Sequence, residues 1–344
     1  MSAVLDSLAV PVVAAPMAGG PSTPELARAV SAAGGLGFLG GALLSPDGLV
    51  GEVGAVGGEL PFGVNLFMPT AEATVDLSEH LAALDRWATR YGVQRGEARY
   101  DDDHYPEKLA WLTAHPVPVV SFTFGCPDAA AIAALQAAGS EVWVTVSCVA
   151  DAVTAAAAGA DALVVQGFEA GGHRSTFTNT SEPEAIGLLA LLRLVSDAVH
   201  LPLIAAGGLI NGADIAAVLV GGARAAQLGT AFLRCPEAGT SAPHRAAVAS
   251  ATATSTTRAF SGRLARGVRN ALLDELSDSA PAAYPQLHHA SKPIRAAAAA
   301  AGDHSAMSLW AGQTHALSRE LPATELVAVL LDEARAALGR VSLG

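Results

Sequence analysis

The sequence contains few cysteines and few aromatic residues. Its three cysteines, Cys126, Cys148 and Cys235, are odd in number and widely spaced, without a C-x-x-C pair. This pattern argues against a disulfide framework and is typical of ordinary thiols in a reducing compartment. Aromatic residues make up only 5% of the chain, whereas alanine and glycine are abundant. We therefore expect close packing of helices on a sheet rather than a bulky aromatic core.

Positive charge and long apolar runs are also scarce. The chain has 20 lysines and arginines against 32 acidic residues, a net charge of -12, which argues against nucleic-acid binding through a basic field. No apolar run reaches the roughly 18 residues of a membrane span without a charge or glycine. The opening MSAVLDSLAVPVV lacks the basic segment of a secretory signal. We expect a cytoplasmic protein that binds neither nucleic acid nor membrane.

Short apolar runs that end in glycine or a polar residue recur along the chain, separated by alanine-rich helical stretches. The runs are Val12–Pro16, Leu36–Leu39, Pro61–Leu66, Val117–Phe122, Glu141–Val146, Ala162–Gln166, Pro202–Ala205 and Ala225–Leu228. Helices are predicted between them at Thr23–Ala33, Asp128–Ala138, Val149–Ala158, Glu184–Val199 and Gly212–Val220. This alternation indicates parallel βαβ units, and eight of them favour an α/β fold of the (β/α)₈ TIM-barrel type.

Two connections are longer than ordinary loops, and we treat them as insertions in a single domain spanning residues 1–344. The first, 69–116, follows the third strand and contains ARYDDDHYPEKL; it is either a solvated surface segment or a cap over the barrel mouth. The second, 236–293, is an extended segment after the eighth strand. The closing stretch Pro322–Leu338 is amphipathic, which predicts a helix packed on the barrel exterior or on a neighbour.

An arginine-rich segment, TTRAFSGRLARGVRN, lies within the second insertion. Its arginines are Arg258, Arg263, Arg266 and Arg269. Their spacings suit one face of a helix. In an acidic protein such a face either meets an anionic ligand group or is simply solvated.

The most informative stretch is Asp161–His173, which has the sequence DALVVQGFEAGGH. A buried strand ends in Gln166, and glycines then allow close approach of the backbone before His173. A lone loop histidine is often a solvated surface residue, so this stretch alone leaves its function open. Barrel enzymes, however, place their sites at the carboxyl ends of the strands.

Polar and glycine residues recur at the other strand ends. The candidate cofactor-binding residues are Ala15, Pro16, Met17, Asn65, Gln166, Gly171, Gly172, Gly207, Gly208, Gln227, Leu228, Gly229 and Thr230. Glycines after the last two strands suit a phosphate, because backbone N–H groups and a helix start can face it there. The amides of Asn65 and Gln166 suit the edge of a flat heterocycle. Together they favour flavin mononucleotide, FMN, and we predict no metal site.

Several motifs in order make the resemblance specific: APMAGG, PFGVNLF, SFTFGCP, QGFEAGGH, IAAGGL and QLGTAF. With SGRLARGVRN and the closing LWAGQTHALSRELPATELV, the chain resembles the nitronate monooxygenase family over nearly its whole length. The resemblance implies FMN contacts from Asn65, Gln166, Gly171, Gly208 and Gln227–Thr230, with His173 facing the flavin. It implies oxidation of small alkyl nitronates, and of nitroalkanes as a further substrate class, by dioxygen to a carbonyl compound and nitrite.

His173 suits two roles within that family. As neutral imidazole it would take the α-proton of a nitroalkane, and as imidazolium it would hold an anionic nitronate. Glu169 either orients His173 or is a solvated loop acid, and Ser121 is a weaker candidate for substrate contact.

Two other functions stay open at this point. One is an FMN-dependent reductase that uses NAD(P)H, of the enoyl-acyl-carrier-protein or quinone type; the other is a flavin-binding protein without turnover. The physiological substrate and a homo-oligomeric state also stay open.

Overall fold

The computed structural model describes residues 2–179, 184–250 and 252–340. Eight parallel strands form the barrel: β1 (Val12–Ala14), β2 (Gly37–Gly40), β3 (Phe62–Phe67), β4 (Val119–Thr123), β5 (Glu141–Val146), β6 (Ala162–Gln166), β8 (Leu203–Ala206) and β9 (Ala225–Leu228). The order β1-β9-β8-β6-β5-β4-β3-β2 is closed by a parallel bridge between Val13 and Leu36. The predicted (β/α)₈ fold is confirmed.

The barrel interior is filled by large side chains from several strands. Phe38 and Trp143 are both fully buried there, with ring centroids 5.8 Å apart. A Cβ atom at Gly63 of β3 would lie 2.2 Å from the Phe38 ring. This glycine is therefore required by the neighbouring aromatic ring, and the interior is packed solid rather than hollow.

Helices cover the outside of the barrel. They are α2 (Pro24–Ala32), α3 (Pro46–Val56), α5 (Tyr105–Ala114), α6 (Ala129–Ala138), α7 (Val149–Ala158), α8 (Leu188–Ala198), α9 (Gly212–Val220) and α13 (Ala323–Gly339). The short helix α1 (Ala3–Ser7) instead packs on the interior cluster of the barrel through Leu5. The C-terminal helix α13 packs on α9 and α2, as the amphipathic pattern predicts. The sequence interpretation missed α3, because its glycines lower helix propensity although Ser45 caps it.

Parts of the two insertions fold together into one cap over the carboxyl ends of the strands. The cap contains α4 (Ser78–Arg90), α10 (Ala242–Ala249), α11 (Ala271–Leu276) and α12 (Gln286–Ala300). The end of the first insertion is instead the barrel helix α5, whose Leu112 lies in the barrel core. Leu84 and Trp87 of the first insertion share a hydrophobic cluster with Leu272 and Ala290 of the second. The cluster reaches Ala311, so the second insertion extends beyond residue 293. We propose that barrel and cap are one domain, because the cap core needs both insertions.

The acidic stretch ARYDDDHYPEKL docks on the barrel instead of lying in solvent. Lys108 has no exposed surface and its Nζ lies 2.9 Å from Asp103 Oδ2. Asp103 in turn accepts the backbone N–H of Leu43, which follows β2, at 3.0 Å. Burial raises the pKa of Asp103, and the Lys108 charge opposes this shift. The stretch thus ties the cap to a strand-end loop.

The prediction of a helix for the arginine-rich segment is wrong. Its residues form the hairpin β10 (Thr254–Thr257) and β11 (Ala265–Val268), and β11 pairs with β7 (Gly172–His173). The threonine-rich run favours a strand, and Gly262 turns the chain at φ +76°. The alternative interpretation, that the arginines form a solvated helix face, is also wrong, because Arg263 and Arg266 are only 1% and 5% exposed.

Candidate active site

A cavity of about 280 Å³ lies between the carboxyl ends of the barrel strands and the cap. All of the predicted cofactor-binding residues except Leu228 line it: Ala15, Pro16, Met17, Asn65, Gln166, Gly171, Gly172, Gly207, Gly208, Gln227, Gly229 and Thr230. His173 lines it as well. Leu228 instead lies in the barrel core, where its carbonyl accepts the N–H of Ala15 at 2.8 Å.

Gln166 positions the histidine loop. Its Nε2 donates to the carbonyl of His173 at 3.0 Å, and its Oε1 accepts the N–H of Ser175 at 2.9 Å. Both ends of the amide thus engage the loop backbone, which leaves one N–H of Nε2 and one lone pair of Oε1 for a ligand. The contact of Gln166 with a heterocycle edge stays a prediction.

Asn65 is held by its neighbours on β4. Its Nδ2 donates to Ser121 Oγ at 2.9 Å and to Thr123 Oγ1 at 3.0 Å, which leaves Oδ1 as the free acceptor. Ser121 is 2% exposed and is not among the residues lining the cavity. The interpretation of Ser121 as a substrate contact is therefore wrong; its hydroxyl orients Asn65.

Ser261 holds the ring of His173. Its Oγ lies 2.9 Å from His173 Nε2, 3.2 Å from the Arg263 carbonyl and 3.3 Å from the Arg263 nitrogen, whose N–H it accepts. The hydroxyl can therefore either accept from Nε2 or donate to it. Nδ1 has no hydrogen-bond partner among the described residues. Ser261 was not predicted, since 88 residues separate it from His173.

Four aromatic rings surround the imidazole: Phe67, Phe124, Tyr284 and Trp310, with centroids 5.4 to 6.4 Å from that of His173. Desolvation, followed by the charges of Arg263 and Arg295, lowers the pKa of His173 to about 3. The imidazole of the free protein is therefore neutral at ordinary pH, which argues against the imidazolium role. A pKa this low also makes the imidazole a weak proton acceptor, and a bound anion would raise the pKa.

Glu169 serves neither of the two roles expected for it. Both of its carboxylate oxygens lie 3.0 Å from the backbone N–H of Leu188, the first residue of α8. The carboxylate thus caps a helix N-terminus, where negative charge is stabilising. Sequence reasoning missed this, because the loop and the helix start are separated by 19 residues.

Replacing Glu169 by alanine should lower the free energy of unfolding by about 1 kcal/mol, because the N-terminus of α8 loses its side-chain acceptor. Urea unfolding of the purified protein measures the change. The control is Glu59→Ala, which removes an exposed acidic residue in the turn after α3. Equal stability of the two variants would contradict the capping role.

The segment Trp310–Thr314 closes the cavity near the glycines after β8 and β9. Thr314 Oγ1 donates to the Gly208 carbonyl, and the Gly312 N–H donates to Thr230 Oγ1, both at 2.9 Å. A Cβ at Gly171 would lie 2.4 Å from the Ala311 carbonyl carbon. The sequence noted this segment only as part of the resemblance and did not predict its contacts.

The cap also supplies side chains that sequence reasoning missed. The cavity wall includes His244, Ser261, His288, Arg295 and Ser308. No local signal marks Arg295, which lies alone in the alanine-rich helix QLHHASKPIRAAAAA. Only the packing of α12 over the barrel mouth brings it to the cavity.

None of the three cysteines forms a disulfide in the part of the chain that the structure describes. All three are free, and burial raises the pKa of Cys126 to about 11 and that of Cys235 to about 12. They are therefore thiols at neutral pH. The described residues contain no cluster that could hold a metal ion and no helix long and apolar enough to cross a membrane.

The cavity suits a flat ligand that carries a phosphate. Gly172 lines it with φ +75°, and a Cβ there would meet nothing within 4 Å, so a side chain would project into open space. No carboxylate is among the described residues that line the cavity, so a phosphate meets no negative side chain. Asn65 Oδ1 is free to accept from a heterocycle edge.

These features define a (β/α)₈-barrel enzyme with a cofactor cavity at its carboxyl face. The family model described as nitronate monooxygenase matches residues 2–333. A nitronate monooxygenase of Paraburkholderia phytofirmans is 41% identical over 336 residues, which cover 93% of this chain and 91% of that protein. The chain belongs to the nitronate monooxygenase family and is an oxidoreductase.

Two solved structures are similar to this one. A nitroalkane oxidase from Streptomyces ansochromogenes is 47% identical and has a TM-score of 0.97, covering 99% of this chain and 100% of its own. FabK from Thermotoga maritima is 26% identical with a TM-score of 0.76, covering 99% and 98%. The similarity to the nitroalkane oxidase is therefore much greater.

Proposed function

We propose that this protein binds FMN and oxidises alkyl nitronates, and neutral nitroalkanes more slowly, with dioxygen to carbonyl compounds and nitrite. The observation that carries the proposal is the place of His173, whose Nδ1 has no partner among the described residues, in a cavity whose described lining contains no carboxylate. A carboxylate would repel an anionic nitronate, whereas this cavity admits one. The similarity to the nitroalkane oxidase of Streptomyces ansochromogenes supports the same substrate class.

Each part of the cavity then has a task. The redox chemistry, transfer of electrons from the nitronate to dioxygen, is supplied by FMN when it is bound. The loops of Gly207–Gly208 and Gly229–Thr230 would hold the phosphate, and Asn65 Oδ1 would accept from the ring edge. We propose the tautomer with the proton on Nε2, in which Ser261 accepts that N–H and His173 would accept the α-proton of a neutral nitroalkane at Nδ1.

The reductase alternative is tested by the choice of reductant. The purified protein is mixed without oxygen with a nitronate, NADH or NADPH in turn, and the visible absorbance of the flavin is followed. We expect bleaching by the nitronate only. Bleaching by a nicotinamide alone would support the reductase function, and no bleaching by any of the three would support a flavin-binding protein without turnover.

The identity of the cofactor has its own test. Acid precipitation should release FMN into the supernatant, because no described residue of the cavity offers a reactive thiol for a covalent link. Chromatography of the supernatant identifies the flavin. A coloured pellet, or release of FAD, would overturn this part of the proposal.

We also propose a cytoplasmic location, which the free thiols support because disulfides are rare in that compartment.

A further inference from the structure

The cavity wall, as far as the structure describes it, contains one permanently charged side chain. Among the described residues that line it, Arg295 is the single lysine, arginine, aspartate or glutamate. The other titratable side chains there are His173, His244 and His288, and burial lowers the pKa of each. The wall is therefore positive at one point and neutral elsewhere.

Three residues hold the Arg295 guanidinium in place. Nε donates to Ser291 Oγ at 3.0 Å, Nη2 donates to the His288 carbonyl at 3.0 Å, and Nη1 donates to Ser308 Oγ at 3.3 Å. A guanidinium has more N–H donors than these bonds use, so at least one N–H on Nη1 is left for a ligand. The group is oriented before any ligand arrives.

No described residue neutralises this cation. Its hydrogen-bond acceptors are hydroxyls, a carbonyl and a histidine ring, and none is a carboxylate. Burial lowers the pKa of Arg295 to about 10, with Tyr284 alone opposing the shift, so the group remains charged at neutral pH. A half-buried cation that lines a cavity and has no counter-ion is a site where binding of an anion gains free energy.

The position of Arg295 points to substrate rather than cofactor phosphate. Its charge acts directly on His173 and its partners lie in α12 and at Ser308. None of those partners belongs to the loops after β8 and β9, where the phosphate is expected.

We propose that Arg295 binds the planar oxyanion of the substrate, the nitronate oxygens or a carboxylate, and thereby selects anionic substrates over neutral nitroalkanes. The inference rests on the proposed function and deepens it. The fork of a guanidinium matches two coplanar oxygens, which a lysine in the same place cannot do.

The test uses nitrate as a planar anion. FMN-loaded wild type, Arg295→Gln and Arg295→Lys are titrated with nitrate, and binding is followed by the visible absorbance of the flavin. Because a hydrogen bond to a charged group is lost, the nitrate Kd should rise about 10- to 100-fold in Arg295→Gln. It should rise less in Arg295→Lys, where charge remains without the fork. Arg193→Gln, an exposed residue of α8 paired with Asp197, is the control for net charge.

Turnover supplies the second readout. The KM for a preformed nitronate should rise in parallel with the nitrate Kd, whereas the KM for neutral nitroethane should stay near its wild-type value. Unchanged nitrate affinity in either variant would overturn the proposal. Loss of FMN from a folded Arg295→Gln would also overturn it, since Arg295 would then serve the phosphate. If Arg295→Gln fails to fold, the nitrate Kd of Arg295→Lys alone tests the proposal.

These experiments distinguish failure of the proposed function from failure of the anion site. If no nitronate bleaches the flavin of the wild type but nitrate affinity still depends on Arg295, the oxidation proposal fails and the anion site stands. If a nitronate bleaches the flavin but substitution of Arg295 leaves the nitrate affinity unchanged, the oxidation proposal stands and the anion site fails.

Discussion

The variant His173→Asn should oxidise neutral nitroalkanes with a kcat/KM about 10² to 10⁴ times lower, because the base that takes the α-proton is removed. Oxidation of preformed nitronates, which need no deprotonation, should fall much less. The measurement compares kcat/KM for both forms of one nitroalkane at the same pH, within the time before they interconvert. His200→Asn, an exposed histidine after α8, is the matched control.

The pH profile separates the two roles of His173. Its pKa is lowered to about 3, so the imidazole of the free enzyme is already neutral between about pH 6 and 9. Nitronate turnover should therefore show no decline from deprotonation of His173 in that range. A decline that disappears in His173→Asn would restore the imidazolium role, and wild-type rates of the variant on both forms would leave His173 a structural residue.

The substitution Gly208→Asp should abolish retention of FMN. Gly208 has φ +71°, and a Cβ there would lie 2.9 Å from Glu169 Cβ, so any side chain is strained. Aspartate adds a carboxylate beside the expected phosphate, and the two negative charges repel each other. Flavin content per polypeptide after purification is the measurement, with circular dichroism as the check on folding.

Gly208→Ala separates strain from charge. Alanine meets the same Glu169 contact but brings no carboxylate, so it should retain more flavin than Gly208→Asp. A folded Gly208→Asp protein with a full complement of flavin would remove Gly208 from the phosphate site. Equal loss in both variants would assign the effect to backbone strain alone.

The barrel strands were predictable because each is a local pattern. β5, β6 and β9 have the predicted bounds, since apolar residues flanked by glycine and polar residues decide them within a few positions. The strand-end residues followed from the same pattern, because parallel strands carry their carboxyl ends to one face. The loop from Gln166 to His173 was found in this way.

The remaining features depend on contacts distant in sequence. The spacing of Arg263 and Arg266 suits a helix, but pairing of β11 with β7 overrides it and buries both side chains. Glu169 resembles a loop acid until α8 is placed against it. Arg295 has no local motif, because its environment is made by the packing of α12 over the barrel.

The cavity wall takes residues from Ala15 near the start of the chain to Thr314 near its end. During synthesis, the barrel strands are complete once Leu228 has emerged, but the roof over Gly208 and Thr230 is still missing. Under the proposed function, tight retention of FMN would therefore begin only when nearly the whole polypeptide has left the ribosome. A chain released early would have the barrel strands and their carboxyl-end loops but not the roof, and we expect it to purify without flavin.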